Sequence, residues 1–352
     1  MTDVALHIRH YTSTRIIILV LGLVLLLALA LAGITIGSSP LKLHDIVNTF
    51  LGKGTALSEQ IIYQIRLPRV LAAIATGLAL AVSGSAIQTV IRNPLGSPYT
   101  LGLSTAAAFG AAFAIVIIGA MTFKDTGFFS SLQQNPYILT LSAFVFSMIC
   151  AGIIMGFARW HGATPVTLIM AGIILTSLFG SATSFLQYIS DELELSMIIS
   201  WMFGDLGKAT WQKCLIQLAI TLPAWIWFML NSWNFNALNA GDEAATSLGV
   251  NTGRIRLFSI MAASVCTAVA VAFYGIIAFV GLVIPHITRW LLGNDEQYVI
   301  LGSGILGGLF LLLSDIMART LVAPIIIPVG ILTSFVGAPF FLFLLIRNIH
   351  NT

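Results

Sequence analysis

The sequence predicts an all-α, polytopic membrane protein of about ten transmembrane helices, and three observations carry that prediction. Of 352 residues, 58% are hydrophobic and only 8% charged, against roughly a quarter charged in an ordinary soluble domain. The apolar runs leave room for roughly eight to ten helices of about 20 residues each. They are also apolar on all sides, whereas barrel strands alternate apolar and polar residues over about 10 positions, which excludes a porin-type barrel.

The net charge of +3 is spread over scattered basic residues and excludes a nucleic-acid footprint. Cys150, Cys214 and Cys266 lie in or beside apolar runs without metal-type spacing, and read as small packing residues. Residues 1–352 therefore read as one transmembrane domain.

Met1 to Arg15 is a polar tail, and Ile16 to Ile36 the first span. The span is longer than the ~7–15-residue core of a signal peptide, so it reads as uncleaved despite Ala28-Leu29-Ala30. Pro40 to Gln60 is a polar loop whose Gly52-Lys53-Gly54-Thr55 resembles a phosphate loop. That motif requires Ser or Thr after the lysine, and Gly54 stands there, so no ATPase is built into the chain. Arg66-Leu67-Pro68-Arg69 introduces the second span, Val70 to Ile91, in which Ser83-Gly84-Ser85 would let another helix backbone approach closely.

Arg92 to Pro98, with Asn93-Pro94 at its centre, breaks that run, and the third span follows from Leu101 to Met121. Lys124 to Pro136 is a loop, and Tyr137 to Phe157 the fourth span. A tight connector ending in Thr164 and Pro165 leads to the fifth span, Val166 to Tyr188. Asp191, Glu192 and Glu194 mark an acidic loop; Ser196 to Phe203, too short to span, reads as a re-entrant or interfacial helix. Trp211 to Asn231 is the sixth span, Leu257 to Phe273 the seventh and Gly275 to Leu292 the eighth. Val299 to Arg319 and Ile327 to Leu345 complete the set.

Between the sixth and seventh spans, Leu238 to Arg256 is the longest polar, helix-competent interruption. Asp242 and Glu243 occupy the first turn of a short helix ending near Leu248, where the macrodipole favours acids, and Gly249 stands where a C-terminal cap belongs. Arg254 and Arg256 read as anchors at the membrane surface. A surface helix without catalytic groups is a mechanical contact for another protein.

The two halves echo each other weakly: Arg66, a helix and the Asn93 to Pro98 break are matched by Arg256, a helix and a break around Gly281 to Pro285. Paired broken segments point to inverted repeats. Alternating ten spans from a cytoplasmic N-terminus puts Arg9, Arg15, Arg92, Arg159, Arg254, Arg256, Arg289 and Arg347 inside. Lys42, Lys53, Arg66, Arg69, Lys124, Lys208, Lys213 and Arg319 fall outside. The tally is a tie, so charge bias alone does not set the orientation.

Together several motifs resemble the FecCD-type permeases, the membrane subunits of ABC importers for iron-siderophore, haem and cobalamin. They are R-L-P-R at Arg66 to Arg69, S-G-x-x-x-Q at Ser83 to Gln88, R-N-P-L at Arg92 to Leu95 and G-D-E-A-A-T-S-L-G-V at Gly241 to Val250. F-V-G-L-V-I-P-H-I at Phe279 to Ile287, S-D-I-M-A-R at Ser314 to Arg319, P-V-G at Pro328 to Gly330 and G-A-P-F-F at Gly337 to Phe341 extend the match. The resemblance implies the type II ABC importer permease fold in a bacterial or archaeal cytoplasmic membrane, both termini cytoplasmic, without a catalytic residue, bound metal or cofactor in this chain. It implies a second permease subunit, identical or related, two ATP-binding cassette subunits carrying ATP and magnesium, and a periplasmic or lipid-anchored binding protein.

The resemblance also implies roles. Gly241, Asp242, Glu243, Ala244, Ala245, Leu248, Gly249 and Val250 would form the helix that fits a groove on the ATP-binding subunit. Arg66, Arg69 and Arg319 would meet glutamates of the binding protein, although Asp315, four residues before Arg319, offers an internal partner. Thr164 and Pro165 would narrow the cytoplasmic end of the pathway. Gly84, Asn93, Pro94, Gly281 and Pro285 would serve helix breaks and packing. The expected cargo is a ferric siderophore, with haem, cobalamin and oxyanions as rivals. The chain departs from the family at Gly275-Ile276-Ile277, where G-P-I is common, and at Ile326-Ile327, where a glutamate is common. An ion-coupled transporter would need membrane-embedded acids, for which Asp315 is the candidate. His286 lacks partner ligands at metal spacing and reads as a packing residue.

Overall fold

The computed structural model describes residues 2–37, 43–119 and 137–349, and no strand occurs among them. Helices α1 (Thr2–Thr35), α2 (Leu43–Phe50) and α3 (Ala56–Glu59) lead through a π-helical turn, Gln60–Arg66, into α4 (Leu67–Val90). α5 (Leu103–Phe113) is likewise extended by a π-helical turn, Ala114–Ile118. There follow α6 (Ile138–His161), α7 (Pro165–Ile189), α8 (Glu192–Met202) and α9 (Trp211–Leu230). Two short helices, α10 (Ser232–Asn239) and α11 (Asp242–Ser247), precede α12 (Thr252–Tyr274), α13 (Val280–Leu292), α14 (Glu296–Thr320) and α15 (Val329–Ile349).

Among the described residues, 7 helices are long and apolar enough to cross a bilayer, and three shorter apolar ones, Leu103–Ile118, Val280–Leu292 and Val329–Phe343, bring the set to the ten expected. The hydrophobic window of α4 is 83% buried and that of α1 only 11%, so α4 is the central post and α1 lies at the periphery of the bundle. Small residues make α4 central. A β-carbon on Gly77 would fall on the carbonyl of Gly307 in α14, and one on Gly84 on the carbonyl of Gly281 in α13. Without a hydrophobic drive between helices in lipid, such close backbone approach is what holds them together.

Replacing Gly84 by valine is therefore expected to cost at least the upper end of the roughly 1–3 kcal/mol of ordinary overpacking, because a backbone carbonyl cannot turn aside. A fall in melting temperature in detergent would show it. Gly156→Ala, where a β-carbon meets nothing, is the control.

Four expectations change. The acidic loop is the start of α8: Asp191 accepts from the Glu194 amide at 2.8 Å and Glu194 returns the bond to the Asp191 amide at 3.2 Å, a capping box. The second-half break lies at Gly275 to Phe279 rather than at Gly281 to Pro285, since Gly275, φ +81°, ends α12 and Phe279, φ +67°, opens α13. Gly281 and Pro285 are inside α13. Leu238, the start of the polar interruption, is a fully buried core residue of α10. The loop expected over Pro40 to Gln60 contains α2 and α3, while the Lys124 to Pro136 loop lies outside the described residues.

At about 1.5 Å per residue, the 24 residues of α4 separate its ends by about 36 Å. Arg66 and Arg69 gather with Asp205, Asp315 and Arg319 at one end; Arg92, Asp242, Arg256, Arg289 and Glu296 gather at the other. These are the two sets that alternation of ten spans separates.

Candidate functional site

The first cluster is built on α11. Gly241, at φ +115°, and Gly249, at φ +81°, bracket it in backbone conformations that favour glycine. The Val250 amide returns to the Ala245 carbonyl at 2.9 Å, closing the C-terminal end. Ala245 and Val250 face inward and are buried; Ala244 is half-buried; Glu243, Thr246, Ser247 and Leu248 face outward. Leu248 is 63% exposed, an apolar side chain offered on a polar helix.

Asp242 fixes this helix to the bundle. Arg256 forks onto it, Nη1 to Oδ2 at 2.9 Å and Nη2 to Oδ1 at 2.6 Å, and Arg92 Nη1 lies 3.7 Å from Oδ1. The hydrogen bonds from Arg256 hold the Asp242 carboxyl below the usual carboxylate range, outweighing its partial burial, so it remains ionised at neutral pH. Arg256 is itself buried and also donates to the Val90 carbonyl at 3.0 Å and the Ala163 carbonyl at 3.1 Å. Expected as a surface anchor, it is instead an internal strut joining α11 to the end of α4 and to the α6–α7 connector. Arg254 remains near the surface, its amide capped by Asn251 at 3.0 Å.

Beside it lies a network that the sequence reading missed. Glu296, fully buried at the start of α14, accepts from Thr89 at 2.8 Å, Asn239 at 2.9 Å and Arg289 at 3.1 Å. Arg289 also donates to Gln88, whose amide reaches the Leu282 carbonyl at 3.0 Å. A polar cavity of about 510 Å³ opens here, lined by Arg92, Asn93, Pro94, His286 and Arg289 among others. In sequence Glu296 follows Asn294-Asp295 and reads as a loop acid; the signal that could have placed it inside was Arg289, seven residues earlier.

At the opposite end the three arginines differ from expectation. Arg66, Arg69 and Arg319 are buried. Asp315, fully buried, is held by Arg69 through Nε at 2.9 Å and Nη2 at 2.8 Å, and by Arg319 Nε at 3.0 Å. Arg66 Nη1 donates to the Ile34 and Thr35 carbonyls at 2.7 and 2.9 Å, and Arg319 Nη1 to those of Gly33 and Ile36 at 3.3 and 3.0 Å. Burying a guanidinium is costly unless its donors are satisfied, and the last turn of α1, which has no basic residue of its own, supplies the acceptors. The guanidinium groups are thus turned onto Asp315 and the end of α1 within this chain.

Thr164 caps α7, accepting from the Thr167 amide at 3.2 Å, and Pro165 occupies its first turn. Asn93 Oδ1 caps the Leu95 amide at 2.9 Å within the first break. Asn93 and Pro94 share the polar cavity with Arg289, while Thr164 is joined to the α11 cluster only through the neighbouring Ala163.

Among the described residues, nine apolar helices around a tenth, small-residue post, with polar clusters at both ends and a braced surface helix at one of them, define a membrane permease. A solved inward-facing metal-chelate-type ABC transporter has the same fold, with TM-score 0.80 and 32% identity over 94% of this chain and 99% of that one. An ABC transporter permease protein of Methanocaldococcus jannaschii is 43% identical over 345 residues, 98% of both chains. The hemin transport system permease protein of Yersinia pestis is 39% identical over 284 residues, 81% of this chain and 82% of the relative. The FecCD transport family model matches residues 24–347. The chain belongs to that family and has the type II ABC importer permease fold.

Proposed function

We propose that this chain is one of two permease subunits that move a metal chelate, a ferric siderophore, into the cytoplasm. ATP and magnesium are bound and hydrolysed on two separate ATP-binding cassette subunits, and a periplasmic or lipid-anchored binding protein delivers the cargo. The observation that carries this reading is α11, clamped to the bundle through Asp242 and Arg256 while Glu243, Thr246 and Leu248 stand outward. Gly241 to Val250 is then the lever on which the ATP-binding subunit pulls. Its end of the bundle is cytoplasmic. Both termini share that side, as the Arg15 to Asp295 pair at 3.7 Å supports for α1. The binding protein docks at the opposite end, on a frame fixed by the Arg66, Arg69, Arg319 and Asp315 cluster rather than on those arginines themselves.

The metal-chelate relative supports a chelate as cargo; the hemin permease relative favours haem as the second reading. The test is uptake by proteoliposomes containing the permease, its ATPase and its binding protein, offered ferric siderophore, haem, cobalamin or molybdate. Leu248→Glu, which places a charge on the contact face, is expected to lower ATP-driven uptake about tenfold, the effect of weakening a protein contact by about 1.4 kcal/mol. Uptake by the permease without ATP or an ATPase would replace this reading with an ion-coupled transporter.

A further inference from the structure

Both helix breaks open on the same space. The loop before α5 and the segment before α13 form opposite walls of a half-enclosed cavity of about 320 Å³ beside Leu80, near the middle of α4. Two helix N-termini meet there, since Ser104 in the first turn of α5 and Gly281 in the first turn of α13 line it. Neither terminus is capped by a side chain: Gly102 and Phe279 hold the N-cap positions in left-handed conformations, φ +79° and +67°, without a side-chain hydrogen bond. In α13 the Val280 and Leu282 amides donate to the Ala278 and Phe279 carbonyls at 2.9 and 3.1 Å, leaving that of Gly281, and the macrodipoles place partial positive charge at both helix ends.

An independent feature points the same way. Thr267 of α12 lines the cavity at 1% exposure, and its hydroxyl has no hydrogen-bond partner. A donor left unpaired in a membrane interior is costly, and a ligand oxygen in the cavity would satisfy it. No acid lines the cavity among the described residues, and no lysine or arginine either. Attraction there comes only from partial charges, which suits a pathway that must hold its cargo and then release it.

Tyr99, Ala278 and Ser334 also line a second groove of about 580 Å³, whose walls include Phe203, Ile331 and Phe335. Apolar surface thus leads directly to the oxygen-seeking cavity. We infer that the cavity between the α5 and α13 N-termini is a transient subsite for an anionic oxygen group of the cargo, a carboxylate or oxyanion on a chelate whose apolar body lies in the adjoining groove. The inference rests on the reading of the chain as an importer permease and adds the charge class of what it carries.

The test is equilibrium dialysis of the purified permease in detergent against three radiolabelled probes: ferric citrate, molybdate and a neutral ferric trihydroxamate. Ferric citrate and molybdate are expected to bind in a salt-sensitive manner, and the neutral complex more weakly. Thr267→Val, close in size but lacking the hydroxyl, should weaken ferric citrate about tenfold, as loss of one hydrogen bond to a charged group does. Thr267→Ser, which keeps the hydroxyl, should bind as the unaltered protein does, and melting temperatures report whether either variant misfolds. Equal binding of anionic and neutral probes, or undiminished binding by a folded Thr267→Val protein, would overturn the subsite. Anion binding by a permease that imports no ferric chelate in proteoliposomes would uphold the subsite and refute the cargo; import without anion binding would do the reverse.

Discussion

Replacing Arg256 by methionine is expected to cut ATP-driven uptake by at least about tenfold while the permease still inserts and assembles, since a forked, charge-assisted contact is lost from one junction only. The guanidinium reaches three elements at once, Asp242 of α11, the Val90 carbonyl ending α4 and the Ala163 carbonyl before α7. Methionine keeps the packing volume and none of those bonds. Arg92, 3.7 Å from Asp242, holds α11 by one longer contact, so the helix stays near its place but no longer transmits force rigidly. Lysine is not expected to rescue, because a single ammonium cannot reproduce a planar fork. The diagnostic pattern is ATP hydrolysis that continues without matching uptake in the reconstituted importer. Uptake equal to that of the unaltered protein would remove Arg256 from the coupling path.

Replacing Asp315 by asparagine is expected to destabilise the bundle by about 3–5 kcal/mol, the usual penalty for breaking one side of a buried ion pair. Asp315 is fully buried between Arg69 and Arg319, and the amide that replaces it leaves Arg319 without its carboxylate and Arg69 with only the half-exposed Asp205 at 3.9 Å. Thermal melting in detergent reads the loss. The combined variant Arg69→Met, Asp315→Leu and Arg319→Met, which removes Asp315 together with both arginines paired to it, should melt above the single variant. A single variant as stable as the parent would mean that the cluster is hydrated enough to need no counter-ion.

The span positions were legible because bilayer thickness leaves a wide mark: Trp211 to Asn231 was expected and Trp211–Leu230 is found. Helix α11 was legible for a different reason, since Asp242, Glu243 and Gly249 are local capping signals that act within one or two turns. What the sequence concealed were partners chosen by the fold. The Asp315 to Arg319 pair is a one-turn relation and could be anticipated; the Arg69 to Asp315 contact spans 246 positions and could not. Arg256 looked like a surface anchor because its neighbours are polar, yet its side chain turns inward to three acceptors that no local rule assembles. Glu296 was hidden by the polar Asn294-Asp295 before it; among the described residues it and Asp315 are the fully buried acids, and each is paired with arginine.

The arginine caps on α1 also bear on how the protein is made. α1 is synthesised before α4 and α14, yet the carbonyls of its last turn find their donors in Arg66 and Arg319, and the Arg319 to Gly33 bond joins positions 286 residues apart. Arg66 can reach the Ile34 and Thr35 carbonyls once the turn before α4 is made, but the Gly33 and Ile36 carbonyls wait for Arg319 at the end of α14. Insertion and completion of α1 are thus separate events in time, and the last bonds to its end form only when α14 packs beside it.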